Sequence, residues 1–556
     1  MADTPPATGT GTHADLDSRP SADSTRWRWW QDAVFYQIYV RSFADANGDG
    51  IGDIAGITSR LPYLAGLGVD AIWLTPFYRS PQADHGYDVA DYRDVDDLFG
   101  TLDDFDEMLA SAHHLGIRVI IDLVPNHSSD EHAWFRAALA AAPGSPERAR
   151  YIFRDGRGKD GTEPPNNWQS VFGGPAWTRV SDGQWYLHLF DARQPDFDWN
   201  NPEVGDEFES ILRFWLDRGV NGFRVDVAHG LIKAPGLPDA DPALAEGTTG
   251  GGIDEAMAER GRPYWDQPGV HEVYRRWHRV LASYDGDRMA VAEAWVDNAE
   301  AMARYVRDDE LQQAFNFHWL ESEWSAAEFR RVVEETFAAV DPVGATPTWV
   351  LSNHDVDRHV SRFGGGAVGL ARARAATAMM LALPGSAYIY AGEELGLPQV
   401  AVPESARQDP TWLRGRGVGR DGCRVPMPWS GDAPPYGFGP DGATPWLPQP
   451  DLWAQLSVAA QEHDDDSTLA LYQRLLAVRH ELLHELGTGV EFISRSDDVL
   501  ALRRDALVCA VNCGSTSADI SDLVDPSTLV LATGAEQQAR TGTLAADTAA
   551  WFHPGR

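Results

Sequence analysis

The chain has 556 residues, 43% of them hydrophobic, which is enough for a large core and for roughly two to four domains. Lys and Arg number 46 against 83 Asp and Glu, a formal net charge of -37. So negative a surface repels nucleic acid, anionic membrane and polyanionic substrates, and is indifferent to a neutral sugar.

Residues 1–25 are rich in Thr, Ser, Ala, Pro and Asp and lack an apolar h-region, so they read as a disordered tail and not as a signal peptide. Short apolar runs then begin near Val34, Ala71, Arg118, Gly222, Met289, Ala314, Trp349 and Ser386. Amphipathic stretches at 103–115, 206–218, 271–284 and 369–382 fall between them. Eight alternating units predict an α/β protein, a (β/α)8 TIM barrel, spanning 26–127 and 206–485. An open doubly wound sheet is the alternative, but no Gly-rich phosphate turn follows the first run.

The spacing is uneven. Residues 128–205 are too long and too aromatic for a plain loop and predict an inserted subdomain after the third strand. Further inserts are expected at about 230–268 and 392–465, crowding the C-terminal barrel face. Residues 486–556 alternate short apolar runs with Gly, Ser and Thr turns, which predicts a C-terminal all-β domain, a small β-sandwich. The three cysteines, Cys423, Cys509 and Cys513, form no disulfide framework and have no metal-ligand spacing. No run of 18 apolar residues is present. A soluble cytoplasmic monomer or homodimer is the expectation, with no nucleic-acid or membrane partner.

Three carboxylates stand out because each ends an apolar run. They are Asp226 in Gly222-Phe-Arg-Val-Asp226, Glu293 in Met289-Ala-Val-Ala-Glu293, and Asp355 in Trp349-Val-Leu-Ser-Asn-His-Asp355. Strands that end in acids deliver them to one end of a sheet, and a cluster of acids is what glycoside hydrolysis needs. Arg224, two residues before Asp226, shares its strand face and would keep that carboxylate ionised; an isolated Arg-x-Asp is also a common buried ion pair. Glu293 lies among apolar and aromatic neighbours, which suits a proton donor. Alone, Asn353-His-Asp355 reads as a turn or cap.

Taken together the motifs resemble a known family. Asp122-Leu-Val-Pro-Asn-His127, Gly222-Phe-Arg-Val-Asp226, Glu293-Ala-Trp295 and Ser352-Asn-His-Asp355 stand in the order of the four sequence regions of the α-amylase family, glycoside hydrolase family 13. Asp84-His-Gly-Tyr-Asp-Val-Ala-Asp-Tyr92, Gln194-Pro-Asp196 and Arg420-Asp-Gly-Cys-Arg-Val-Pro-Met-Pro-Trp429 are similar to its α-glucosidase and oligo-1,6-glucosidase branch. The resemblance implies Asp226 as nucleophile, Glu293 as general acid/base and Asp355 as the acid that grips sugar hydroxyls. It further implies His127 and His354 as hydroxyl donors, Tyr87 stacked beneath the ring, and Asp84 with Arg420 closing a blind, exo-acting pocket. Asp122 and Asn126 are expected to be architectural.

The loop Asp45-Ala-Asn-Gly-Asp-Gly-Ile-Gly-Asp53 offers oxygen donors at alternate positions. It is not an EF-hand, since Gly56 stands where that loop has Glu. It resembles the calcium loop of the same branch, which implies a structural Ca²⁺, with Mg²⁺ as the alternative, on Asp45, Asn47, Asp49, the Ile51 carbonyl and Asp53. No organic cofactor is implied. In the branch it resembles, Val at the position of Val227, directly after the nucleophile, implies a lean toward α-1,6 action, where Ala or Thr would imply α-1,4, and a side chain there reshapes the space of the leaving sugar. Its continuation, Ala228-His-Gly-Leu-Ile-Lys233, departs from the branch pattern, and no Arg-Leu-Asp-Arg-Asp segment typical of sucrose isomerases is present. The implied activity is retaining exo-α-glucosidase action on short glucosides such as maltose, isomaltose or sucrose. The alternatives are a glucosyltransferase or a trehalose- or trehalulose-forming isomerase using the same covalent intermediate, and, more remotely, a non-catalytic relative.

Overall fold

The computed structural model describes residues 28–241, 261–483, 485–494 and 496–554. The expected tail at 1–25 and part of the insert at 230–268 lie outside them. All eight apolar runs form strands: β1 Val34–Ile38, β2 Ala71–Leu74, β3 Arg118–Leu123, β4 Gly222–Val225, β5 Met289–Ala292, β6 Gln313–Ala314, β7 Thr348–Val350 and β8 Ser386–Tyr390. They are parallel, in the order β6-β5-β4-β3-β2-β1-β8-β7. The Asn316 N–H donates to the Thr348 carbonyl at 3.2 Å and joins the segment after β6 to β7, which brings the sheet round into a barrel.

Helices follow the strands: α1 Ile54–Leu67, α2 Leu102–His114, α3 Pro202–Arg218, α4 Val270–Leu281, α5 Ala326–Val340, α6 Gly366–Ala382 and α7 Thr468–Leu482. Their starts carry the expected caps. Asp53, Thr101, Asn201, Ser325 and Ser467 each accept a backbone N–H of the first turn. Pairing period sorts the barrel's two faces. Phe35, Trp73, Ile120, Val291, Phe315 and Tyr388 pack together inside, while Tyr36, Ile72, Ile121, Phe223, Ala290 and Ile389 pack toward the helices.

Between β3 and α3 the chain forms a helix at Ala133–Ala140 and a three-stranded antiparallel sheet of Phe153–Asp155, Gln184–Leu187 and Trp177–Arg179. Beyond α7, five antiparallel strands run in the order 491–492, 499–504, 507–512, 548–552, 529–532. One face of that sheet meets the barrel, where Trp551 donates to the Ala378 carbonyl of α6. The other face packs with Ile520 and Leu544 beside a two-stranded ribbon.

Candidate active site

The ladder registers carry Asp226 and Glu293 to the C-terminal ends of their strands, and Asp355 follows in the loop after β7. Asp122 on β3 faces Arg224 on β4, and Arg224 faces Val291 on β5. The Asp226 N–H continues the ladder to the Leu123 carbonyl at 2.9 Å, and the Glu293 N–H continues it to the Val225 carbonyl at 2.9 Å. A pocket lies above them. Asp84, Tyr87, His127, Phe172, Phe190, Asp226, Val227, Glu293, Asp355 and Arg420 line it.

Its floor is one guanidinium shared by three carboxylates. Arg224 Nη1 donates to Asp226 Oδ1 at 2.6 Å and to Asp122 Oδ1 at 2.9 Å, and Nη2 lies 2.9 Å from Glu293 Oε2. Glu293 Oε2 also accepts the Val227 N–H at 2.9 Å, and Trp295 Nε1 donates to Oε1 at 3.3 Å. Asp122 further accepts from the Tyr87 hydroxyl at 3.2 Å and from Trp73 Nε1 at 3.3 Å. Arg224 favours the ionised form of Asp226, but it does not act alone. Burial, the largest effect, raises Asp226 well above the ordinary carboxylate range, and Arg224 only opposes it. Asp122 is likewise pushed up to about 7. One guanidinium divided among three acids does less for each than a dedicated partner would.

The opposite wall has the reverse balance. Arg420 Nη1 donates to Asp355 Oδ1 at 3.0 Å, Nη2 to Asp84 Oδ1 at 2.9 Å and Nε to Asp409 Oδ2 at 2.7 Å. Arg424 Nη2 donates to Asp355 Oδ1 at 2.9 Å. Burial alone would raise Asp355, but Arg420 and Arg424, which both donate to it, oppose burial and hold the group well below the usual carboxylate range. At Asp84 burial wins over Arg420 and Arg424, helped by the Asp409 charge nearby, and raises the group.

Burial drives His127 down to about 4 and His354 further below its ordinary value. His354 Nδ1 faces Gln37 Nε2 at 2.7 Å, while Nε2 faces the Tyr87 hydroxyl at 2.5 Å and Asp355 Oδ2 at 3.3 Å. Tyr87 stacks on the His354 ring at 5.5 Å. Of the predicted residues, Asp84, Tyr87, His127, Asp226, Val227, Glu293, Asp355 and Arg420 line the cavity; Arg224 and His354 do not, Arg224 lying under the acids it joins and His354 against the Tyr87 ring. Sequence reasoning passed over Phe172, Phe190, Asp409 and Arg424. Only Arg424 gave a signal, as the second arginine of the Arg420–Trp429 motif.

The Asp45–Asp53 loop stands apart. Asp45 accepts the Gly48 and Gly50 N–H groups, Asn47 that of Asp49, Asp49 that of Ile51, and Asp53 those of Ala46, Asn47 and Gly56. The donors are all oxygens, the set a hard cation takes. Among the described residues, no three His, Cys, Asp or Glu side chains are grouped closely enough to hold an ion.

Comparison with known proteins agrees with this geometry. Residues 37–487 match the model described as alpha amylase, catalytic domain. The chain is 38% identical over 512 residues to a probable alpha-glucosidase of Rhizobium meliloti (strain 1021), covering 88% of this chain and 90% of the relative. It is 38% identical over 493 residues to an oligo-1,6-glucosidase of Parageobacillus thermoglucosidasius, covering 82% and 84%. Among solved structures, the alpha-glucosyl transfer enzyme XgtA superposes with a TM-score of 0.83 at 38% identity, over 95% of this chain and 100% of the other. Strand order, strand-end acids and these similarities converge: the chain belongs to the alpha-amylase family of glycoside hydrolases.

Proposed function

We propose that the protein is a retaining, exo-acting α-glucosidase that releases glucose from the non-reducing end of short α-glucosides. The observation that carries this reading is the Arg224 guanidinium, which bridges Asp226 and Glu293 through its two terminal nitrogens. Carboxylates held on one small planar group suit the separation of about 5–5.5 Å used by retaining enzymes better than the wider inverting spacing. In this reading Asp226 attacks the anomeric carbon while Glu293 protonates the leaving oxygen. Glu293 then deprotonates the water that releases the sugar with its configuration retained. Asp355, kept ionised by two arginines, grips ring hydroxyls and strengthens that grip as the ring gains positive charge. Asp84 and Arg420 close the far end, which limits binding to one terminal sugar.

Transfer to an acceptor sugar in place of water is the second reading, and the likeness to a glucosyl transfer enzyme favours it. A trehalose- or trehalulose-forming isomerase would use the same covalent intermediate. A structural Ca²⁺, or Mg²⁺ in its place, on Asp45, Asn47, Asp49, the Ile51 carbonyl and Asp53 is part of the proposal and rests on the donor chemistry. The cytoplasmic assignment rests on the three free cysteines. Among the described residues no helix is long and apolar enough to cross a membrane. The deciding experiment is a time course with maltose, isomaltose, sucrose and trehalose at low and high concentration, with products and their anomeric form identified by NMR. Glucose released first as the β anomer would overturn retention, and oligosaccharides or isomers outrunning free glucose would favour transfer.

A further inference from the structure

Gly230, in the turn after β4, does not use the left-handed backbone that usually calls for glycine. What it lacks is room. A methyl built on its Cα would stand 2.7 Å from Val227 Cγ1, 2.8 Å from Trp265 Cζ3 and 3.2 Å from Asn126 Oδ1. Carbon atoms in good contact stand about 3.5–4.0 Å apart. The Val227 side chain and the Trp265 ring therefore close on bare backbone, with space between them for a hydrogen and nothing larger.

The surroundings of that gap are held in place. The Gly230 N–H donates to the Val227 carbonyl at 2.9 Å. The Gly230 carbonyl accepts from Lys233 Nζ, whose buried ammonium also holds Asn126 Oδ1 at 2.7 Å and Asp196 Oδ2 at 2.8 Å. The Val227 main chain is tied to Glu293, its N–H to Oε2 at 2.9 Å and the next N–H, that of Ala228, to the Glu293 carbonyl at 2.8 Å. The Trp265 ring is buried against the rings of His229 at 4.6 Å and Tyr264 at 5.0 Å. What can yield is the Val227 side chain, because on one side of it lies the pocket that it lines. That side is the leaving sugar's. Glu293 protonates the departing oxygen in the proposed reaction, and Val227 is bonded to Glu293.

We infer that Gly230 and Trp265 are positioning residues for linkage specificity: together they form the backstop that sets how far the Val227 side chain stands into the space of the leaving sugar. The inference deepens the reading of the cavity as an α-glucoside site and rests on it. The departing oxygen of an α-1,4 bond sits on a ring carbon, with further ring atoms on either side. That of an α-1,6 bond sits on a slimmer exocyclic methylene. Crowding beside this oxygen therefore costs the α-1,4 substrate more. A β-branched side chain is stiff about its first torsion, so a wall behind one of its methyls fixes where the other stands.

The test compares kcat/KM for isomaltose and maltose in the full chain. Gly230→Ala supplies the missing methyl and should drive Val227 toward the pocket. The isomaltose-to-maltose ratio is expected to rise about fivefold, chiefly through loss on maltose. Trp265→Phe removes the ring edge behind Val227, and the ratio should fall about fivefold as the side chain settles back. On the Val227→Ala background, which lacks Cγ1, Gly230→Ala should leave the ratio within about twofold of its parent, since a residue that acts through Val227 then has nothing to act on. Packing that served stability alone would lower the melting temperature and reduce both substrates in proportion, whatever stands at position 227. Proportional losses on the two disaccharides, shifts of the same sign in Gly230→Ala and Trp265→Phe, or an equal shift on both backgrounds would overturn the inference. If Gly230→Ala does not fold, Trp265→Phe decides by the sign of its shift. If neither folds, the packing serves the fold and the inference fails. A wild-type protein inactive on both disaccharides would instead refute the functional reading.

Discussion

Val227 donates its N–H to Glu293 Oε2 at 2.9 Å while holding a φ of 46°. Left-handed backbone at a β-branched residue costs about 1–3 kcal/mol and persists only where surroundings impose it. Here they do: the Ala228 N–H donates to the Glu293 carbonyl at 2.8 Å, and the Gly230 N–H to the Val227 carbonyl at 2.9 Å. The turn after Asp226 is thus pinned to Glu293 by main-chain bonds, which leaves the buried Val227 side chain free to act on selectivity. Val227→Ala and Val227→Thr keep the backbone problem and change only the side chain. The ratio of kcat/KM for isomaltose to that for maltose should fall about tenfold in either variant. An unchanged ratio would remove Val227 from the determinants of linkage.

Asp226→Asn and Glu293→Gln should each lower turnover of maltose or isomaltose by about 10²–10⁴-fold, with the thermal transition retained. The two are separable by leaving group. Glucosyl fluoride needs little protonation, so Glu293→Gln should keep its first, enzyme-glucosylating step, and Asp226→Asn should lose it. Near-normal turnover of natural substrate by either variant would refute the assignments.

The strand-end acids were legible because an apolar run stops at each of them and because parallel strands share one C-terminal end. The ionisation of Asp226 was not legible. Arg224 is two residues away in the chain, but Asp122 and Glu293 reach the same guanidinium from other strands. Only the register of β3 against β4 and β4 against β5 reveals a cation divided among three acids. Asp409 was hidden for a similar reason, since a long insert of no regular period carries it to Arg420. Phe172 and Phe190 belong to a segment whose many aromatics gave no means of choosing the two that line the cavity. Lys233 was read only as a departure from a pattern, and its buried ammonium is held by Asn126 and Asp196, which come from two other segments.

Chelation should lower the melting temperature, and added Ca²⁺ should restore it. The Asp45–Asp53 loop ends in the residue that caps α1, so a cation there would stabilise the first strand–helix connection and not touch the chemistry. No change in melting temperature or activity after exhaustive EDTA treatment would end the proposal.

Glu393, just past β8, offers a test of stability against pH. Its Oε1 accepts the Tyr390 N–H at 3.0 Å, Oε2 has no hydrogen-bond partner, and burial pushes the group up to about 8. The folded state holds this proton more tightly than the unfolded chain does. The resulting stability is complete below the ordinary carboxyl range near 4.5 and is lost as pH rises through about 8. Glu393→Gln keeps the Oε1 acceptor and has no proton to lose. Relative to wild type it should gain on the order of 2 kcal/mol between pH 5 and pH 8, read as a melting-temperature difference that widens with pH. A difference constant with pH would show that Glu393 does not titrate in this window.

Arg420 makes the strongest case for exo action, because it uses three different nitrogens on three acids: Asp84, Asp355 and Asp409. A lysine ammonium keeps the charge but cannot reach all three in one geometry. Arg420→Lys should therefore fold and yet lose about 10²-fold in kcat/KM on short glucosides, because Asp355 and Asp84 lose their common brace. If that closure is what limits binding to a chain end, wild type should release glucose singly from maltooligosaccharides and act poorly on starch. It should also leave untouched an oligosaccharide whose non-reducing end carries a bulky 4,6-acetal. The capped substrate is the sharper of these tests, since starch can be poor for reasons of size alone. Cleavage within the capped chain would mean that sugars pass beyond Asp84 and Arg420, and the pocket would then have to be redrawn as a cleft.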